Sequence, residues 1–245
     1  MLWEDADYVA VNKLAGLATI PGRGEDESVL ERLAGQLGLS CSGSQDPRLR
    51  VVHRIDKETS GVLLFAKNID AQRHVSRQFQ NNHVSKEYLA VVAARPAEME
   101  GEVDASMARH PADPRRMAVV KHGGRPARTL WKVEELFRDY ALLRVFPRTG
   151  KTHQIRVHLK LVGLPLAADP LYPPPRPGVR PGIFLSSFKR GYRCGKETER
   201  PLIDRLTLHA QRLTFQDRTG REQRVEAPVP KDLGALLNML RKYGR

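Results

Sequence analysis

Short β-type apolar runs succeed one another along this chain, with few helices between them. Tyr8 to Asn12 ("YVAVN"), Val51-Val52, Val62 to Ala66, "KEYLAVVAA" at 86 to 94, "ARTLWKVEEL" after the "HGG" turn at 122 to 124, "YALLRVFP" at 140 to 147 and "RLTLHAQRLTFQD" all have strand length and strand composition. A doubly wound parallel sheet would alternate strand and helix throughout, so runs of strands predict an α+β chain instead. The helices are marked by their ends. Ser28-Val-Leu-Glu31 reads as a capping box, Val29, Leu30, Leu33 and Leu37 keep helical spacing, and Gly38 supplies the stop. Asp70 reads as the cap of a helix through Phe79, ended by Asn81-Asn82. Another helix is predicted from near Thr152, with Ile155, Leu159 and Val162 on one face and "GLP" as its stop. The last starts at Lys231, lined by Leu233, Leu236, Leu237 and Leu240, with Arg241 and Lys242 suiting its C-terminal dipole. The Pro-rich "YPPPRPGVRPG" at 172 to 182 can hold neither helix nor central strand and reads as a surface loop.

Several classes fall away. No apolar run approaches bilayer length, and "MLWEDADY" has neither the charged nor the apolar region of a secretory signal. A cytoplasmic protein with no membrane partner is expected. Cys41 and Cys194 stand far apart without a CxxC, His153 and His158 are five apart, and HExxH is absent, so neither a disulfide framework nor a metal site is expected. Charge is more informative: 41 Lys and Arg against 28 Asp and Glu leave +13. Residues 106 to 130 hold Arg109, Arg115, Arg116, Lys121, Arg125 and Arg128 against Asp113 alone, and Arg144 to Lys160 contains five basic residues and no acid. Both stretches carry apolar residues at structured spacing, which predicts a folded basic surface suited to nucleic acid.

The densest chemistry lies in "HRIDKETSG" at 53 to 61, where Asp56 sits between Arg54 and Lys57 on a short link between predicted strands. A carboxylate that attacks carbon or takes a proton must be ionised and aimed, and basic neighbours keep it anionic after desolvation. The predicted helix near Thr152 offers support, with Thr152, Arg156 and Lys160 on one stripe and His153 beside it. By spacing alone, however, HRxD reads first as a solvated ion-pair turn, which stabilises little. Tyr88 alone reads as a packing residue on a strand. A kinase catalytic loop would need Asp directly after His-Arg, and DFG is missing.

Taken together, "HRIDKETSG", "KEYLAVV" at 86 to 92 and "RTGKTHQIRVHL" at 148 to 159 resemble the signature segments of the RluA-type pseudouridine synthases. "WEDADYVAVNKLAGL", "GRPART" at 124 to 129, "GLPLAADPLY" and "LHA" at 208 to 210 continue the likeness in order, from about Trp3 to Pro230. The resemblance implies one catalytic domain over 1 to 245, built on a mixed, largely antiparallel central sheet with flanking helices. It implies an isomerase that converts uridine to pseudouridine in ribosomal or transfer RNA, without cofactor or metal, acting as a monomer. Asp56 would be the catalytic aspartate. Arg54 would enter the RNA stack, Tyr88 would stack on the extracted uracil, and Arg156 would pair with Asp56. Lys57, Lys86, Arg125, Arg128, Arg148, Lys151, Thr152, His153 and Gln154 would contact RNA.

Two departures stand out. The family commonly has Lys-Pro-x-Gly where this chain has "KLAG" at 13 to 16, and Ile55 replaces its usual Leu. The small RNA-binding module that often precedes the catalytic domain is expected to be absent, since the likeness starts at Trp3. Substrate choice would then rest on the segments 106 to 128 and 172 to 205, the latter with Lys189, Arg190, Arg193 and Lys196. A non-catalytic RNA-binding protein of the same fold is the alternative reading, followed by a metal-independent hydrolase or nuclease using Asp56 with a histidine.

Overall fold

The capping signals of the first helix fold as written. In the computed structural model, which describes residues 1–22, 27–41, 48–174, 182–192, 194–195 and 198–245, Ser28 Oγ accepts from Glu31 N while Ser28 N donates to the Glu31 carboxylate at 3.0 Å. Helix α1 then runs Val29–Leu37 and ends at Gly38, whose φ of 62° is the left-handed turn that glycine enters without strain. Helix α2, Ile69–Gln80, is capped two residues earlier than expected: Asn68, not Asp70, accepts from Ala71 N at 2.8 Å. Asp70 lies in the first turn, where its charge still suits the dipole.

The chain gathers into two units, each drawn from separated stretches: Met1–Glu87 with His209–Pro228, and Tyr88–Leu208 with Val229–Arg245. The first contains β1 (Trp3–Glu4), β2 (Tyr8–Lys13), β3 (Arg50–Val51), β4 (Ser60–Ala66), most of β11 (Leu208–Gln216) and β12 (Glu222–Glu226). Their order is β1-β2-β4-β11-β12, with β3 also on β4. β4 pairs antiparallel with β2, Tyr8 opposite Ala66, and parallel with β11, Ser60 opposite His209. Every residue of β4 is buried, as its unbroken apolar run requires. Its side chains meet Tyr8, Ala10, Leu213, Phe215 and, from α2, Ala71 and Val75.

In the second unit most of β5 (Ser85–Val92), β10 (Ala141–Pro147), β9 (Arg128–Leu136) and β6 (Glu100–Asp104) pair antiparallel in that order, and β7 (Met107–Arg109) forms a separate hairpin with β8 (Met117–Val119). Strand alternation sorts the two faces. Leu89, Val91 and Leu142 pack with Leu233, Leu236, Leu237 and Leu240 of α4 (Lys231–Tyr243). Ala90, Val92, Leu143 and Val145 pack with Ile155 and Leu159 of α3 (Gln154–Leu161). Each fully buried leucine contributes roughly 1.5–3 kcal/mol, so α4 is held by its leucine stripe. The mixed, largely antiparallel α+β expectation matches this pairing. Strands β6, β7 and β8 fall within stretches that show no strand pattern in the sequence. The Pro-rich segment at 175 to 181, with Arg193 and Lys196, lies outside the described residues.

Candidate active site

The link carrying Arg54, Asp56 and Lys57 joins β3 to β4, and several of its backbone groups are held in place. Lys13, only 2% exposed, donates from Nζ to the carbonyls of Leu14, Leu17 and Lys57 at 2.8–2.9 Å. Gly16 N also donates to Lys57 O at 2.9 Å, and its φ of 85° is the left-handed turn that brings its amide there. Thr19 Oγ1 donates to Ile55 O at 3.0 Å, Ile55 is buried, and Thr59 N closes a turn onto Asp56 O at 3.0 Å. Backbone groups on both sides of Asp56 are thereby fixed. Arg54 and Lys57 are exposed, while Asp56 and Lys86, near the start of β5, are half-buried. Behind the link, Ser60 Oγ and His209 Nδ1 lie 3.0 Å apart, and a side chain at Gly61 would strike Ala210 O.

His53 locks the link from its N-terminal side. Leu64 N donates to His53 Nε2 at 2.9 Å, and the imidazole stacks on Phe79 at 4.7 Å. A ring that accepts there must be neutral, and burial first, then the Lys86 charge, push its pKa down to about 3. The folded state refuses a proton that the unfolded chain takes below its ordinary value near 6.5. This part of the stability is complete above that pH and is lost as pH falls toward 3, at up to about 1.4 kcal/mol per unit. His53→Gln keeps an acceptor for Leu64 N but cannot titrate. Between pH 7 and pH 4, urea unfolding of the wild type should therefore lose about 2–3 kcal/mol more than the variant does. Parallel losses would show that His53 is not held neutral.

In the second unit the segment 148–153 leads into α3, which begins at Gln154 rather than near Thr152. Gln154 explains the later start. Buried at 4% exposure, its amide donates to Arg128 O and Thr129 Oγ1 and accepts from Thr149 Oγ1 and Lys151 N, all at 2.8–3.0 Å. Expected as an RNA contact, Gln154 thus braces the loop that presents Arg148, Lys151 and Thr152. Arg148 and Thr152 are exposed and Lys151 is half-buried; Thr152, outside the helix, shares no stripe with Arg156 and Lys160. His158 extends the brace, with Nδ1 3.0 Å from Thr129 Oγ1, and burial lowers its pKa. His153 occupies the left-handed region at φ 55°, and its Nδ1 lies 2.8 Å from Tyr172 Oη. Val162, expected on the apolar face, is the C-cap and 42% exposed.

Arg156 is deeply buried and donates from Nε and Nη2 to both oxygens of Asp169 at 2.8 Å. Sequence reasoning assigned no role to Asp169, although it falls in the quoted "GLPLAADPLY". Tyr88 sits on β5 opposite Val145 and packs on the cluster containing Ile155 and Leu159. Arg125 is exposed and bridges Met107 through its backbone, and exposed Arg128 pairs with Glu102. Within unit one the structure therefore brings together Arg54, Asp56 and Lys57, and within unit two Tyr88, Arg156 and the 148–154 loop share one face and its adjoining helix. Among the described residues no group of three or more His, Cys, Asp or Glu side chains could hold a metal, and no helix is long and apolar enough to cross a membrane.

A family model described as RNA pseudouridylate synthase matches residues 7–161. The "Ribosomal large subunit pseudouridine synthase D" of Neisseria meningitidis serogroup B is 39% identical over 98% of this chain and 61% of its own length. The protein of that name in Xanthomonas campestris pv. campestris is 36% identical over 99% of this chain and 69% of its own length. Among solved structures, "Human RNA Pseudouridylate Synthase Domain Containing 4" aligns with a TM-score of 0.71 at 27% identity, covering 98% of this chain and 92% of that one. The chain spans 61% of the Neisseria relative and 65% of a same-named protein of Nitrosomonas europaea, under two thirds of each.

Proposed function

We propose, from the premise that this chain belongs to the RNA pseudouridylate synthase family, that it isomerises uridine to pseudouridine in RNA, with large-subunit ribosomal RNA as its substrate. The net change breaks the N1–C1′ bond, joins C1′ to C5, sends the C5 proton to solvent and protonates N1. Nothing is oxidised or reduced, and no acceptor molecule is consumed.

Asp56 supplies the anionic group that the bond exchange needs. One observation carries this assignment: its link is pinned at Ile55 O, Asp56 O and Lys57 O, the third of these by the buried Lys13 ammonium. A carboxylate on so constrained a backbone reaches a reacting atom without first ordering its loop. Arg156 serves Asp56 as counter-charge, and Tyr88 stacks on the uracil. Arg54, Lys57, Lys86, Arg125, Arg128, Arg148, Lys151, Thr152 and His153 hold the RNA around a uridine taken out of its stack, a step that costs a few kcal/mol in a duplex and less in a loop. Cytoplasmic RNA is the expected target pool.

The test is tritium release from ribosomal RNA labelled at uracil C5, run beside a denaturing gel. Tritium should appear in water while RNA length stays constant. Shortened RNA would point to a nuclease instead, and tight binding without release to an RNA-binding protein of the same fold.

A further inference from the structure

Tyr172 stands where three parts of the second unit meet. Its ring packs with Met107, Ala127 and Val157, so it touches the β7–β8 hairpin, the approach to β9, and α3. The Arg156 guanidinium lies 5.0 Å from the ring centroid and that of Arg116, just before β8, lies 5.3 Å away. Among the described residues the buried Arg116 Nε has no hydrogen-bond partner, and the aromatic face is an attraction that this guanidinium gains on burial. The Tyr172 hydroxyl accepts from Met117 N at 2.7 Å and lies 2.8 Å from His153 Nδ1, to which it can give its proton. Burial raises the Tyr172 pKa, so that proton stays in place.

Asp169 completes the cluster. Its carboxylate is fully buried and takes four donors: Arg156 Nε and Nη2, and the amides of Leu171 and Tyr172 at 2.9 and 3.0 Å. The two parallel bonds fix the plane of the guanidinium and so the direction of its third nitrogen. The amide bonds tie the same carboxylate to the turn that carries Tyr172.

We propose that Asp169 and Tyr172 are positioning residues for the reaction: Asp169 sets the posture of Arg156, and Tyr172 clamps the basic β7–β8 hairpin to that same arginine. The seat of an RNA-facing arm and the aim of the site arginine are thereby one structural unit. This assignment rests on the pseudouridine synthase reading, in which Arg156 serves Asp56.

Two substitutions separate the roles. Asp169→Asn keeps an oxygen for the Leu171 and Tyr172 amides but removes the charge and presents an NH2 where the second arginine donor needs an acceptor. Tyr172→Phe keeps the ring and removes the hydroxyl that holds Met117 N. Single-turnover tritium release at saturating RNA, measured well below each melting midpoint, should fall on the order of a hundredfold for Asp169→Asn, as a displaced reacting group does. RNA affinity should hold within about threefold, since the basic surface is untouched. Tyr172→Phe should raise KM about threefold to tenfold, the worth of one hydrogen bond, with kcat nearly unchanged. An unaltered rate per folded molecule in Asp169→Asn, or an unaltered KM in Tyr172→Phe, overturns the proposal. If Asp169→Asn does not fold, Tyr172→Phe decides alone. The Arg156 Nε–H resonance gives a readout free of activity: slow exchange with solvent in the wild type and fast exchange in Asp169→Asn are expected, and equal exchange in both sinks the idea. Wild type that releases no tritium would refute the isomerase reading, while the resonance would still report on the clamp.

Discussion

Asp56→Asn is expected to abolish tritium release while leaving a folded protein that binds RNA as the wild type does. Asparagine has nearly the shape of aspartate, but it can neither add to carbon as an anion nor take a proton. Losses for residues in these roles run from 10²–10⁴ for a base upward for a nucleophile, so a fall of roughly 10⁴-fold or more is expected, equivalent to about 5 kcal/mol of barrier. The fold should tolerate the exchange. The contacts at Ile55 O, Asp56 O and Lys57 O are to backbone, and His53 holds Leu64 N from outside the substituted position. Filter binding and thermal melting beside the rate assay separate a chemical loss from a structural one. Retention of more than about a tenth of the wild-type rate, a barrier change under about 1.4 kcal/mol, would place the essential acid elsewhere.

Lys13→Met should cost substantial stability next to the HRID link. The methionine side chain can follow much of the buried lysine stem, but the three carbonyls of Leu14, Leu17 and Lys57 lose their shared ammonium. Hydrogen bonds to a charged donor contribute about 1.5–3 kcal/mol each, and burying the charge offsets part of their sum. A net loss of about 3 kcal/mol in urea unfolding is expected. Lys57 O keeps the Gly16 amide, so the link should loosen rather than collapse, and tritium release by the folded fraction should fall about tenfold or more as Asp56 loses its aim. A stability loss under about 1 kcal/mol would mean that water replaces the ammonium.

What could be read from the sequence is what local chemistry decides. The α1 capping box and Gly38 stop, and the leucine stripe of α4, need only neighbours within a few residues, and both fold as spaced. The start of α3 is not local: Gln154 is drawn to Arg128 O and Thr129 Oγ1, far along the chain, which sets the helix origin past Thr152. Strands β7 and β8, three residues each and bearing Arg109 and the neighbouring Arg116, carry no apolar alternation because each gains its order from the other and from Tyr172. At the site, motif residues are legible by type, but their supports are not. Nothing near Lys13 announces that its ammonium is buried among carbonyls, and an Asp thirteen residues past Arg156 has no helical spacing to flag it.

Neither unit is continuous in the chain, and this bears on how the protein is made. Ser60 of β4 waits for His209 of β11, a partner 149 residues later. At ordinary synthesis speeds the ribosome needs roughly 7 to 30 s to cover that interval. The second unit waits likewise for the four leucines of α4. The first core therefore closes only after β11 has been made, and the second only after α4. A chain that stalls before residue 208 carries the whole HRID link with β4 exposed along the edge that β11 covers, the kind of unpaired edge that invites aggregation. A closed first unit is thus withheld from chains that stop short of β11 by topology alone.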